Sequence, residues 1–215
     1  PTNRGWNADQ NRFVETSNFS WTNTGWSQTK DHPVVNVSWE DAMNFIGWLS
    51  IEENAKYRLL TEAEWEYCCR AGSSSLYSFG NNSTDLVKYG NVLDRTGWQT
   101  FKSDTRMADS SQNELINATD GKVFTASVGS FAPNAFGLFD FHGNVCEWCY
   151  DWYGEDYTKS SSLDPQGAPV GAQRCARGGR FDTGQRLAMS FTRNYGVPLM
   201  TDMILGFRIL KEVSE

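Results

Sequence analysis

Apolar residues recur with the period of a helix in two stretches of this chain, both in its first third. In SWEDAMNFIGWLS, Trp39, Ala42, Met43, Ile46 and Leu49 fall at i, i+3, i+4, i+7 and i+10, which aligns them on one helical face. Ser38, with Asp41 three residues on, supplies a capping signal, so the pattern predicts an amphipathic helix laid on a core. In TEAEWEYCCRAG, Thr61 and Glu64 form a second capping box, Trp65, Cys68 and Cys69 share a face, and Gly72 suits the left-handed position beyond the last turn. Both patterns are structural in meaning. Beyond Gly72 the periodicity breaks into Gly, Ser, Asn, Asp and single aromatics, with short strand-like runs at KVFTASV (122–128) and GFRIL (206–210). Few long elements must therefore organise much loop. Nine Trp, eight Tyr and thirteen Phe supply large buried areas that stiffen irregular backbone, and bound cations are the other common device.

Composition narrows the picture. The chain has 215 residues, 39% hydrophobic and 21% charged, with no repeat or low-complexity linker, so it reads as one domain over 1–215. No apolar run approaches the roughly 18 residues of a membrane span, which argues against membrane insertion by this chain. Pro1–Gln10 lacks the basic start and apolar centre of a signal peptide. The net charge of −7 argues against nucleic acid as a partner, because counterion release needs clustered Lys and Arg. Charge is uneven, however: residues 174–208 hold six Arg, two Asp and no Lys or Glu. Those arginines either form buried pairs that brace loops or make a positive field that steers an acidic ligand. Of the five cysteines, Cys146 and Cys149 form a C-x-x-C without the second pair that zinc requires, so buried thiols are the favoured reading over zinc, disulfides or redox work.

The segments HPVVNVSWEDA, YRLLTEAEWEYCCRAG, NAFGLFDFHGNVCEWCYDWYG, RGG and LGFRI follow one another in the order typical of the formylglycine-generating-enzyme family, also called the sulfatase-modifying-factor family. The resemblance runs from about His32 to Leu210. It implies an α+β, C-type lectin-like fold with a small twisted antiparallel sheet, two helices and long irregular loops. One departure is at the start. The strand and EVTxxxY-like motif usual before the first helix are not evident in Pro1–Lys30, which points to a shortened or divergent start, or to an edge rebuilt from RFVETSNFSWTN.

Members with oxidase activity carry two cysteines after RGG, five apart, that hold copper(I). By the resemblance those positions are Thr183 and Ala188 here, and neither offers the soft thiolate that copper(I) needs. A related sulfoxide synthase uses iron held by histidines, whereas this chain has only His32 and His142. GxSxG and the phosphate-cradling GxxxxGK[ST] are absent, and the carboxylates Glu62 and Glu66 sit on a helix already explained by capping and solvation. The expectation is therefore no copper, no iron and no enzymatic activity. The resemblance does imply structural calcium, which takes hard oxygen ligands. One site would comprise Asp140, Phe141, Gly143, Val145 and Glu147, with carboxylates from Asp140 and Glu147. A second would comprise Asn91, Val92, Asp120 and Lys122. The plainer reading is that Asp140 and Glu147 bond nearby amides.

One branch of the family consists of variable proteins of diversity-generating retroelements, of the Treponema type, in which a segment from RGG to GFR is rewritten on a constant scaffold. Arg177–Arg208 resembles it, with family-like ends around an interior of no helical or strand period. Randomised AAC or AAT codons cannot yield Met, Gln, Glu, Lys or Trp, which excludes Gln185, Met189, Met200 and Met203. The resemblance then implies a ligand-binding surface drawn from Phe181, Asp182, Thr183, Arg186, Leu187, Thr192, Asn194, Tyr195, Val197, Leu199, Thr201 and Asp202. About a third of these are expected to be poorly exposed, and Phe191 and Phe207 to be buried. The expected function is a cell-surface, lipid-anchored or secreted module that binds an unknown protein or surface ligand. The alternatives are an inactive accessory or structural homologue, and an oxidase or hydrolase with an unrecognised site.

Overall fold

The structure is a computed structural model that describes residues 2–104, 114–157 and 163–213. Strands β1 (Asn3–Asn7) and β2 (Arg12–Thr16) form an antiparallel hairpin, so RFVET is the second strand of the rebuilt edge. Helix α1 (Trp39–Glu52) and helix α2 (Glu62–Arg70) follow, with the short strand β3 (Tyr57–Leu59) between them. Both capping boxes form as the sequence predicts, Ser38 with Asp41 and Thr61 with Glu64. At the end of α2 both Ala71 (φ 46°) and Gly72 (φ 87°) are left-handed, so the chain turns one residue earlier than glycine chemistry alone suggests.

Two shorter helices were not legible in the periodicity: α3 (Leu86–Tyr89) and α4 (Arg95–Phe101). Helix α4 starts at Asp94, whose Oδ1 accepts from the amides of Thr96 (2.7 Å) and Gly97 (2.9 Å). The C-terminal half supplies β4 (Cys146–Trp152), β5 (Arg174–Arg177), β6 (Arg193–Gly196), β7 (Leu205–Phe207) and β8 (Ile209–Lys211). A four-stranded sheet has the order β6-β5-β4-β7, while β8 pairs with β3. The β4–β7 pairing is parallel, so the sheet is mixed, not wholly antiparallel as expected.

Strand β4 is buried along most of its length because both of its faces are covered. On one side Trp148, Trp39, Ile46 and Leu59 pack together, and the indoles of Trp39 and Trp148 donate to the carbonyls of Cys149 (2.9 Å) and Val37 (3.2 Å). Cys149, Cys175, Cys69, Trp65 and Phe141 fill a second cluster, and all five cysteines are free thiols.

The expected strand at 122–128 does not form. Its backbone is met by a side chain in place of a neighbouring strand. Asn144, buried and left-handed (φ 69°), accepts from the Ala126 amide through Oδ1 (2.9 Å) and donates to the Ala126 carbonyl through Nδ2 (3.1 Å). Its own N–H bonds the Asn91 carbonyl (2.7 Å) and its carbonyl receives the Phe181 amide (3.0 Å). One asparagine thus joins three loops. We predict that Asn144→Ala strands the Ala126 groups and misfits the left-handed backbone, costing about 3–5 kcal/mol. Urea unfolding should show a lower midpoint at unchanged slope.

Candidate functional site

Helix α2 and strands β4, β5 and β6 bring the arginine-rich segment against a set of acids. Arg177 is 0% exposed. Its guanidinium bonds Glu66 and the Thr192 carbonyl, approaches Glu62 at 3.5 Å, and donates to the Ser190 carbonyl at 3.1 Å. Arg193 grips Glu62 with two bonds (2.6 and 2.7 Å), donates to the Gly154 carbonyl (2.7 Å), and lies over the rings of Tyr153 and Tyr157. The Cys175 thiol adds a contact to Glu62 at 3.2 Å.

The remaining arginines are also engaged. Arg208 pairs with Glu147, Arg180 with Asp182 and Arg186 with Glu114, while Arg174 lies between the rings of Trp39 (3.7 Å) and Trp152 (3.5 Å). The local excess of positive charge is therefore compensated by acids brought from elsewhere, and the bracing reading displaces that of a steering field.

Beside Arg193 a pocket of about 390 Å³ opens, walled by Glu62, Glu66, Tyr67, Asp151, Trp152 and Tyr157. Asp151 is buried and its Oδ2 accepts the Glu62 amide (2.7 Å). Burial, with the Glu62 charge adding to it, pushes the Asp151 carboxyl up to about 6. Sequence reasoning missed this residue, because nothing in CYDWYG marks Asp151 as the buried acid under α2.

The twelve expected contact residues separate into groups. Phe181, Asp182 and Thr183 are buried and are corrected to scaffold. Phe181 packs with Trp26, Phe101 and Phe124; Asp182 faces Arg180 at 3.0 Å; and the Thr183 carbonyl accepts the Leu93 amide at 2.9 Å. Leu187, Thr192, Asn194, Thr201 and Asp202 are half-buried. Arg186, Tyr195, Val197 and Leu199 are exposed. Phe191, expected in the core, is instead 46% exposed, and Phe207 is half-buried. From Phe191 to Met200, five apolar side chains (Phe191, Tyr195, Val197, Leu199 and Met200) stand in solvent. Gly196 lies beneath them, where a Cβ would come within 2.8 Å of both Trp148 and Met200.

At the positions that resemble the copper ligands, Thr183 and Ala188 are buried and carry no thiol, so the residues present do not fit copper(I). Ala188 abuts Gly179, where a Cβ would lie 2.9 Å from the alanine methyl. Behind Ala188, His142 Nε2 accepts the Ser78 amide (3.0 Å), which leaves Nδ1–H to donate to the Ala188 carbonyl (2.9 Å). Burial pushes this imidazole down to about 4 and the neighbouring Cys69 thiol up to about 12, so both stay neutral.

The two expected calcium sites differ. Glu147 receives Arg208 through Nε (3.0 Å) and Nη2 (2.8 Å) and the Trp65 indole (2.7 Å). Glu147 thus already has a guanidinium as counter-charge, which the expectation of a calcium ion shared by Asp140, Phe141, Gly143, Val145 and Glu147 did not include. Asp140 Oδ2 accepts the Gly129 amide (2.7 Å), while its Oδ1 is buried without a partner. At the other site, Asp120 accepts the amides of Val92 (3.1 Å) and Lys122 (2.7 Å), which gathers those three residues. Burial, with the Asp94 charge adding to it, pushes the Asp120 carboxyl up to about 7, and Asn91 Oδ1 is buried without a partner. An orphaned carbonyl oxygen beside an uncompensated carboxylate fits a hard cation.

Residues 3–213 match the model of the sulfatase-modifying factor enzyme 1-like domain, and the chain belongs to that family. It is 38% identical over 189 residues to a formylglycine-generating enzyme of Streptomyces coelicolor, covering 86% of this chain and 54% of the relative. The chain spans about half the length of the curated relatives it matches. Among solved structures, PvdO from Pseudomonas aeruginosa superposes with a TM-score of 0.71 at 30% identity over 87% of this chain and 65% of that one. Treponema denticola variable protein 1 superposes with a TM-score of 0.69 at 23% identity over 89% and 77%. These structures share the C-type lectin-like fold of the formylglycine-generating type. The relatives also correct the expectation that this chain is not an enzyme: similar proteins at 33–38% identity are named as enzymes.

The Asp151 environment makes stability depend on pH. A carboxyl raised from an ordinary value near 4 to about 6 takes up a proton on folding, so the folded state loses stability as pH rises between those values and stays at its lower level above them. Asp151→Asn keeps an acceptor for the Glu62 amide and removes the titration. Melting curves from pH 4 to pH 8 should be flatter for this variant than for the parent.

Proposed function

We propose that this domain recognises a ligand through the exposed part of residues 186–199, as the diversified face of a variable protein of the retroelement type. The observation that carries the reading is the division of the C-terminal segment. RGG and its continuation to Thr183 are locked into the core, whereas Arg186, Tyr195, Val197 and Leu199 project into solvent. Apolar and aromatic groups held on an ordered base are the chemistry of paratopes, since little conformational entropy is lost on contact. The shared fold with a variable protein supports the scaffold half of this reading. The partner would be a protein or other surface ligand, and the location the cell surface or outside the cell. Among the described residues no helix is long and apolar enough to cross a membrane.

A second reading is favoured by the likeness to named formylglycine-generating enzymes: oxidation of a cysteine in a peptide, with the same face serving as the substrate contact. Thr183 and Ala188 give no thiolate, so no step through copper is derived. Oxygen uptake by the copper-treated domain in the presence of a cysteine-containing peptide, above that of copper alone, would establish this second reading.

We also infer a structural calcium ion held by Asn91, Val92, Asp120 and Lys122, with Asn91 and Asp120 giving side-chain oxygens and the other two their carbonyls. The ion would supply the charge that Asp120 lacks and pin the loop after α4.

Two measurements test these proposals. Sequencing beside the gene should find a near-identical, adenine-rich copy of the stretch encoding 177–208 and a reverse transcriptase gene, and sibling genes should differ at Arg186, Tyr195, Val197 and Leu199 but not at Phe181–Thr183. Absence of copy and transcriptase together sinks the diversification reading. Calcium at a hundredfold excess over its dissociation constant should add about 2.7 kcal/mol and raise the melting temperature, an effect lost in Asp120→Asn. An identical melt in calcium and in chelator would remove the site.

A further inference from the structure

The pocket beside Arg193 is built around an acid that the protein leaves without a counter-charge. Its wall carries the carboxylates of Glu62, Glu66, Asp151 and Asp156 and the guanidinium groups of Arg70 and Arg193. Glu62 is held by Arg193, and Glu66 by Arg70 and Arg177. Asp151 receives the Glu62 amide at 2.7 Å, and the charges that act on it most strongly are those of Glu62 and Glu64, both acids. The neighbouring guanidinium without a carboxylate, Arg174, is engaged by the Tyr150 carbonyl (2.7 Å) and by the rings of Trp39 and Trp152. An ionised carboxylate in a buried wall is stabilised by a cation, and here none is supplied from within.

Gly167 and Asp151 both line the pocket. Gly167 is left-handed (φ 74°), and a Cβ there would fall 2.6 Å from Asp151 Oδ1, so any side chain at 167 would cover the carboxylate. Aromatic rings make much of the remaining wall: Tyr67 and Tyr157 are exposed and Trp152 is half-buried. Ring faces attract cations, and Tyr157 already holds the Arg193 guanidinium at 4.2 Å. An anionic occupant would meet Glu62, Glu66 and Asp151, and a neutral apolar one would leave Asp151 as it is. Among the described residues no three acidic, thiol or imidazole side chains gather closely enough to hold a metal ion. An organic cation fits what remains. A guanidinium prefers both oxygens of a carboxylate, but Oδ2 of Asp151 is taken by the Glu62 amide. An ammonium head needs one oxygen, and the volume of about 390 Å³ admits a short alkyl chain behind it.

We propose that this pocket binds a primary alkylammonium ion. The charged head donates to Asp151 Oδ1, and the alkyl chain lies along Trp152, Tyr157 and Tyr67. The proposal invokes none of the exposed side chains on which the reading of the C-terminal face rests.

The test uses the ¹⁵N-labelled domain at pH 8, where the Asp151 carboxyl is ionised, with n-butylammonium chloride as probe and n-butanol as the same chain without the charge. The probe should shift the Trp152 indole and Gly167 amide resonances saturably, and bind about tenfold more tightly than the alcohol. Asp151→Asn, which keeps an acceptor for the Glu62 amide, should weaken the ammonium about tenfold and leave the alcohol unchanged. Glu52→Gln, which removes an equal charge from an exposed position of α1, should alter neither. Tyr67→Ala, at an exposed position of α2, should weaken both. Equal binding of ammonium and alcohol would overturn the proposal, as would the absence of a saturable shift at Trp152 and Gly167. So would an equal loss in Glu52→Gln, which would mark general attraction to an acidic chain.

Discussion

The structure turns on one buried carboxylate, Glu62, and the two guanidinium groups that compensate it. Taking a charge of either sign out of water costs several kcal/mol unless partners replace the solvent. Here Glu62 begins α2, where the helix dipole favours a negative charge, and its oxygens receive Arg193 and face Arg177. Arg177 then reaches Glu66, one turn along the same helix, and the carbonyls of Ser190 and Thr192. Through these contacts helix α2, strand β5 and the whole C-terminal segment have one relative position. A loop-rich chain with a mixed four-stranded sheet has few backbone ladders to fix such a position, and charge pairing does it instead.

Much of this arrangement was legible in the sequence where the signal is local. Caps and apolar periodicity locate α1 and α2, because both depend on residues three or four apart. The family motifs place β4, β5 and β7. What was not legible depends on distant partners. The run 122–128 alternates like a strand but finds Asn144 where a strand neighbour would be, and no local pattern reveals that substitution. Phe181 and Phe191 look alike in the sequence. The first is buried because its amide is fixed to Asn144 and its ring enters the Trp26–Phe101–Phe124 cluster, while the second follows the turn at Ser190 and faces water.

The same distinction governs the candidate site. The absence of thiols at 183 and 188 could be read from the residues alone, whereas the fate of the six arginines could not, because Glu62, Glu66, Glu114 and Glu147 come from other parts of the chain. Glu147 falls at a calcium position by the family resemblance, yet Arg208 pairs with it in space. Asn91 Oδ1 and Asp140 Oδ1 are buried without partners, and burial pushes the Asp120 carboxyl up, none of which a local pattern in the sequence reveals.

The close approach of Gly179 to Ala188 has a consequence for what this part of the chain tolerates. A Cβ at 179 would stand 2.9 Å from the Ala188 methyl and 3.0 Å from the Ala188 Cα. Any side chain at 179 must therefore push the backbone at 188 aside, two residues from the buried guanidinium of Arg177. Crowding, and not charge pairing alone, keeps the scaffold end of the segment as it is.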